Sequence, residues 1–354
     1  MKKYSKVLAL VLMVILVVPM MFGCGSKPAE TSGDGGTEKM EKFVIGISLP
    51  TQREERWVKD KEAMEKYAAE LGYEVKVQIA DADQAQQAQQ VENLLTQGID
   101  VLILAPHDAS ASAELVKKAK EENVPVISYD RLVTSSEDLD YYLSFDNEAV
   151  GRLQGDYFTK NVENGTIMLF AGAPTDNNAK LFFNGAMSVI QPKIDSGDYT
   201  VIGGTDFQQV ATDNWVPANA QNRASNILTA NADATVAGVL APNDGTAGGI
   251  IEAFKAAGLD VPVVTGQDSE VAAVKRIKIG EQSMTIFKDT RALAKAAIDM
   301  AVSLSNGEEI EANGAVDNGV KEVKSVLLEP VVVTQDNFQE VLVDSGYINE
   351  DDLK

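Results

Sequence analysis

The chain has one cysteine, one histidine and two tryptophans in 354 residues, and its acids far outnumber its bases. A lone thiol excludes an internal disulfide, which an oxidising compartment would otherwise allow, so the fold must rest on packed cores. Because that thiol, Cys24, closes an N-terminal hydrophobic segment, none is left to act as a nucleophile. There is no Gly-x-Ser-x-Gly elbow, Walker loop, dinucleotide glycine fingerprint or His-Glu-x-x-His. The 53 acidic and 31 basic residues give a formal charge of −22. Such a surface repels phosphate backbones, which argues against nucleic acid as a partner, and it offers no basic patch to an anionic membrane.

What is present begins at the N-terminus. Lys2, Lys3 and Lys6 precede an apolar run over residues 7–18, followed by Pro19, Met20, Met21, Phe22, Gly23 and Cys24. Basic head, apolar core and small residue at the cut make residues 1–23 a secretory signal. A small residue directly before the only cysteine resembles the lipobox of bacterial lipoproteins, with Met21 and Phe22 where a leucine and a small residue are usual. The resemblance implies that Cys24 receives a lipid and holds the chain on the outer face of the plasma membrane. An uncleaved anchor is the alternative, since the apolar run approaches the ~20 residues of a spanning helix. Either way the globular part works outside the cytoplasm. Losing the three leader lysines takes the formal charge from −22 to −25. Residues 24–41, rich in Gly, Ser, Thr and acids, read as a flexible tether. The remaining length exceeds one domain of ~100–150 residues, so two lobes are expected.

Beyond the tether, short β-branched runs alternate with helix-periodic segments. Strands are expected at 43–49, 74–80, 101–104, 126–129 and 142–145, with helices at 56–71, 84–97 and 111–123 between them. Within 62–71, Ala63, Met64, Tyr67, Ala68 and Leu71 share one helix face. The pattern restarts with a helix over 148–162 and strands at 166–171, 200–203, 236–240, 263–266 and 282–286. A helix over 293–306 and strands near 323–327 and 330–333 complete it. Strands without strict alternation, separated by helices, predict parallel sheets covered on both faces. The fold class is α/β, with two doubly wound lobes.

In such sheets ligands sit beyond the carboxyl ends of the strands. There the sequence places Gln52, Arg53, Arg56 and Trp57, then Asp130 and Arg131, then Asp146 and Asn147. Asn243 and Asp244, Gln267 and Asp268, and Lys288 follow three later strands. Asp130, Asp146 and Asp268 accept hydrogen bonds, Arg56, Arg131 and Lys288 donate, and Asn147 and Asn243 do both. Trp57 and Trp215 offer flat apolar faces. This combination suits a neutral polyol. Taken singly, each residue could be a turn former, a surface ion pair or core filling; their shared sheet edge argues for a cleft.

The strings ERWVKD, ISYDRL, YYLSFDNEAVG, APTDNNAK, APNDGTAGG, VTGQDSEV and MTIFKDT resemble the D-xylose-binding and multiple-sugar-binding receptors of bacterial ABC transporters. The resemblance runs over about 43–353 and implies a type I periplasmic-binding-protein fold: two Rossmann-like lobes joined by a three-segment hinge, with one aldopyranose between them. The lobes would be 42–146 plus 289–320 and 147–288 plus 321–354, with hinges near 145–148, 286–289 and 318–323. Carried over residue by residue, the contacts would be Arg56, Trp57, Asp130, Arg131, Asp146, Asn147, Trp215, Asn243, Asp268 and Lys288. Implied partners are a membrane permease and its cytoplasmic ATPase. The Asn243-Asp244 pair is of the xylose type, whereas FKDT and VLVDSGYINEDDL look like the multiple-sugar type. The ligand is thus D-xylose, with glucose, galactose and arabinose open. No cofactor or metal is expected; DADQAQ at 81–86 lacks the glycine of a calcium loop and reads as a strand exit and helix cap.

Three other functions fit parts of the sequence less well. A glycosidase using Asp130 and Asp146 would need one acid in an apolar setting, yet each candidate has a basic or amide neighbour. His107, in a loop after a strand, is expected at the cleft rim. A sensory subunit reporting to a histidine kinase or chemoreceptor would share the same cleft. A transcriptional regulator would need a helix-turn-helix where the leader and tether stand.

Overall fold

Val44–Leu49 reads Val-Ile-Gly-Ile-Ser-Leu, apolar on alternate and intervening positions alike, and it forms strand β1, buried over its last five residues. The computed structural model describes residues 43–354; the leader, Cys24 and the tether lie outside the described residues. From β1 the chain runs through α1 (Glu55–Leu71), β2 (Glu74–Ile79), α2 (Gln84–Thr96), β3 (Val101–Leu104), α3 (Ala113–Glu121), β4 (Val126–Tyr129) and β5 (Tyr141–Phe145). It continues through α4 (Asn147–Asn161), β6 (Gly165–Leu169), α5 (Asn177–Asp195), β7 (Tyr199–Ile202), α6 (Phe207–Val210), α7 (Pro217–Ala230) and β8 (Val236–Leu240). Next come α8 (Asp244–Ala256), β9 (Val263–Val264), α9 (Val271–Lys278), β10 (Thr285–Phe287) and α10 (Thr290–Ser305). The last strands are β11 (Gly314–Asp317), β12 (Glu322–Leu328) and β13 (Val331–Val333).

The first lobe carries a sheet in the order β11-β12-β5-β4-β3-β1-β2, parallel except for β11. Side chains alternate across it. Ile45, Ile47, Val101 and Ile103 enter one core with Met64 of α1 and Leu293 and Ile298 of α10. Leu102 and Leu104 enter the opposite core with Val91 and Leu94 of α2 and Leu115 and Val116 of α3. The second lobe has the parallel order β7-β6-β8-β9, sandwiched by α4 and α5 on one side and α7 and α8 on the other, with β10 and β13 as an antiparallel pair. Helices α4 and α5 approach so closely that a Cβ on Gly151 would stand 2.1 Å from the Phe182 carbonyl oxygen.

The chain crosses between lobes after β5 and after β10. The third crossing corrects the sequence reading. Residues 321–328 do not join the second lobe: Ser325, Val326, Leu327 and Leu328 of β12 pair in parallel with Tyr142, Leu143, Ser144 and Phe145 of β5. The crossing lies at Glu329–Pro330, not near 318–323, and Pro330, with no N–H to give a ladder, separates β12 from β13. Among the described residues no helix is long and apolar enough to cross a membrane.

Candidate functional site

Asp130 follows β4 directly, in a left-handed turn (φ 59°), and lines the space between the lobes. Arg56, in the first turn of α1, donates Nη1–H to Asp130 Oδ2 at 2.6 Å. The guanidinium is fixed from behind by Asp60, one turn on, which accepts from Nε at 3.0 Å and Nη2 at 2.9 Å. Tyr129 Oη donates to the other oxygen of Asp60. All four side chains are buried. Burial pushes Asp60 up to about 6 despite Arg56. Burial also raises Asp130, but Arg56, Lys288 and Arg131 outweigh it and hold that carboxyl below its ordinary value.

The second lobe supplies the facing wall. Asp176 caps α5, accepting from Asn178 N at 3.0 Å, and its Oδ2 takes Trp215 Nε1–H at 3.1 Å. Asn243 caps α8 through Thr246 N at 3.0 Å. Lys288 Nζ stands 3.1 Å from Asp268 Oδ1 and 3.9 Å from Asp130 Oδ2. The Arg56 and Arg131 guanidiniums lie over the Trp57 ring at 4.5 and 5.2 Å. Trp215 packs edge-on against Phe182 with centroids 6.4 Å apart. It packs against Gly172, where a Cβ would fall 2.0 Å from the indole.

These groups line one tight cleft, in which acidic, basic and amide side chains stand beside the rings of Trp57, Phe182 and Trp215. Each cation in its wall already has a carboxylate: Arg56 has Asp60 and Asp130, Arg131 has Asp176, and Lys288 has Asp268. Nothing is left over to neutralise an anionic ligand. In contrast, Gln267 Oε1 and Glu54 Oε2 are buried acceptors without a hydrogen-bond donor. Paired charges, hungry acceptors and aromatic walls make a place for a neutral molecule rich in hydroxyls.

The structure brings Arg56, Trp57, Asp130, Arg131, Trp215, Asn243, Asp268 and Lys288 into this one lining. Asp146 is not part of it, which corrects the sequence reading: its side chain caps α4 through Ala149 N at 2.8 Å, sits 3.6 Å from Arg152, and faces a separate hollow behind the hinge. A strand-end aspartate has been used as a helix cap. Asn147 is buried one layer back, donating to Tyr142 Oη at 3.0 Å and Ser144 Oγ at 3.1 Å. His107 is half-buried, with burial and then Arg131 lowering its pKa. Asp176, Asn178, Phe182 and Glu54 also line the cleft, at positions that the strand-end pattern does not mark. The string APTDNNAK held two of them, just after β6. Asp83 caps α2 through Gln86 N at 2.9 Å.

A family model described as periplasmic binding protein domain matches residues 45–309. The chain is 41% identical over 314 residues to the D-xylose-binding periplasmic protein of Escherichia coli, covering 88% of this chain and 93% of that one. It is 43% identical over 329 residues to the multiple sugar-binding periplasmic receptor ChvE of Rhizobium radiobacter, covering 89% and 93%. Among solved structures, an ABC transporter solute binding protein from Clostridium phytofermentans with bound β-D-glucose superposes with a TM-score of 0.85 at 38% identity, covering 88% of this chain and 100% of that one.

Proposed function

This chain belongs to the periplasmic binding protein domain family, and from that premise we propose that it captures one monosaccharide between its lobes and delivers it to an ABC permease. It is a binding protein, not an enzyme, as the members of its family are. D-xylose is the first candidate ligand, as bound by the relative from Escherichia coli; glucose, as in the Clostridium complex, galactose and arabinose are the others. The observation that carries the reading is the cleft in which every cation is carboxylate-paired while buried acceptors stay unpartnered.

Capture works by closure. Across the lobes Arg131 meets Asp176, Ala109 N donates to Thr175 O at 2.9 Å, and Val271 N donates to Glu55 Oε2 at 2.9 Å. A sugar filling the cleft adds contacts that only the closed form makes, and so shifts the population toward it. Lys288, beside the second crossing, carries that occupancy to the hinge. Lipid on Cys24 would keep this trap at high local concentration beside its permease. Calorimetric titration with xylose, glucose, galactose, arabinose and ribose tests the reading: one or more saturable heats are expected, and no heat with any of them would overturn it.

A further inference from the structure

Three side chains donate to the carbonyl oxygen of Asp130: Tyr142 Oη at 2.8 Å, Ser144 Oγ at 2.7 Å and Asn178 Nδ2 at 2.9 Å. A carbonyl has two lone pairs, so two of these donors suffice. Tyr142 and Ser144 stand on β5, in the same sheet as Asp130, whereas Asn178 comes from α5 of the other lobe. Asn147 Nδ2 donates to both hydroxyl oxygens, which leaves their own protons free to point at the carbonyl. The remaining end of the Asn178 amide, Oδ1, lies 3.2 Å from Tyr142 Oη. Tyr142 has a single hydroxyl proton, which can serve Asp130 O or Asn178 Oδ1 but not both; with Ser144 and Asn178 Nδ2 on the two lone pairs of the carbonyl, that proton can turn to Oδ1, and the opposite lobe then satisfies both ends of the amide.

We propose that Asn178 is a closure latch, a positioning residue that stabilises the closed lobes through the Asp130 main chain whichever sugar occupies the cleft. The inference rests on the sugar-capture reading above. When the lobes part, Asp130 O keeps Tyr142 and Ser144, so no buried acceptor is orphaned and opening carries no desolvation penalty there. When they close, Asn178 Nδ2 takes the place of Tyr142 on that carbonyl, the freed Tyr142 hydroxyl donates to Asn178 Oδ1, and the amide holds the carbonyl whose residue presents the carboxylate to Arg56. A latch of this kind acts on the lobe equilibrium, so its loss weakens all ligands alike. An amide that only touched a sugar hydroxyl would weaken them unequally.

The test is calorimetric titration of the full chain and of Asn178→Ala and Asn178→Ser with xylose, glucose, galactose and arabinose. Each variant should lose about tenfold in affinity, equal among the sugars that bind to within about threefold, with the sugar-free circular dichroism spectrum unchanged. The serine variant keeps the test alive if the alanine variant does not fold. Unchanged affinity, or losses spread more widely than threefold, would overturn the latch. If the wild type binds no sugar, the capture reading fails separately, and small-angle scattering of the sugar-free proteins still judges the latch: Asn178→Ala must be the more expanded, and equal radii of gyration would sink it.

Discussion

Arg131 of the first lobe and Asp176 of the second meet at 2.9 Å, Nε to Oδ2, with both side chains buried. The same carboxylate oxygen also accepts from Trp215 Nε1, so one acid fixes a cation from one wall and an indole from the other. Burial raises its pKa, and Arg131 works against that rise. Replacing Asp176 by alanine strands a buried guanidinium. Losing one partner of such a pair costs about 2–5 kcal/mol, or roughly thirtyfold and upward in affinity. Calorimetry on Asp176→Ala should show that loss, with Asp176→Asn in between; an unaltered dissociation constant would remove the pair from ligand capture.

A second expectation concerns pH. At the lobe seam Asp244 Oδ2 accepts from Glu270 N at 3.1 Å, and Glu55 of the other lobe accepts from the next residue, Val271. Burial, followed by Asp244, Asp268, Glu55 and Glu54, pushes Glu270 from 4.5 up to about 8. Burial and then Asp268 push Asp244 from 3.8 to about 7, against Arg276. Acids raised on folding bind protons better in the folded state. Their favourable share of stability is full below the unfolded values and is lost as pH rises through the folded ones, here from about 4 to about 8. Thermal melts should therefore show a lower midpoint near pH 8.5 than near pH 6, and Glu270→Gln should reduce that difference. A Glu270→Gln profile parallel to wild type would rule out Glu270 as a source.

How far the site could be read from the sequence follows from distance along the chain. Asp130 and Arg131 were legible because a strand-end position fixes which sheet edge they occupy. Asp146 satisfied the same rule and yet caps α4, because a short acid after a strand serves the next helix as readily as a ligand. The sheet partner of β12 was not legible: Val323 onward reads as a strand, but pairing with Tyr142–Phe145 spans about 180 residues and no local pattern encodes it. Asn178 and Phe182 were passed over because they lie within a helix, where polar and aromatic residues look like surface and core.

Cys24 lies outside the described residues, and its role is a matter of covalent chemistry. If the leader is cut before it, mass spectrometry of the mature protein should find Cys24 first and carrying acyl mass. Cys24→Ser should then release the protein from membranes into the medium. An unmodified N-terminus would leave a retained leader as the anchor.

The last prediction tests the aromatic wall without touching a polar group. Trp215 (φ 57°) lies against Gly172, and a Cβ there would stand 2.0 Å from the ring, far inside contact distance. Gly172→Ala must therefore displace the indole, since the backbone on its other side is held by Thr212 N bonding Gly172 O at 3.2 Å. A displaced ring loses its Asp176 bond and tilts into or away from the sugar face. Overpacking of this kind costs about 1–3 kcal/mol. Because the clash bears on the ring that lines the cleft, it should appear mainly in ligand affinity, as a loss of roughly fivefold or more, and in a changed tryptophan emission of the sugar-free protein. If Gly172→Ala binds like wild type with the same emission, Trp215 does not form the wall.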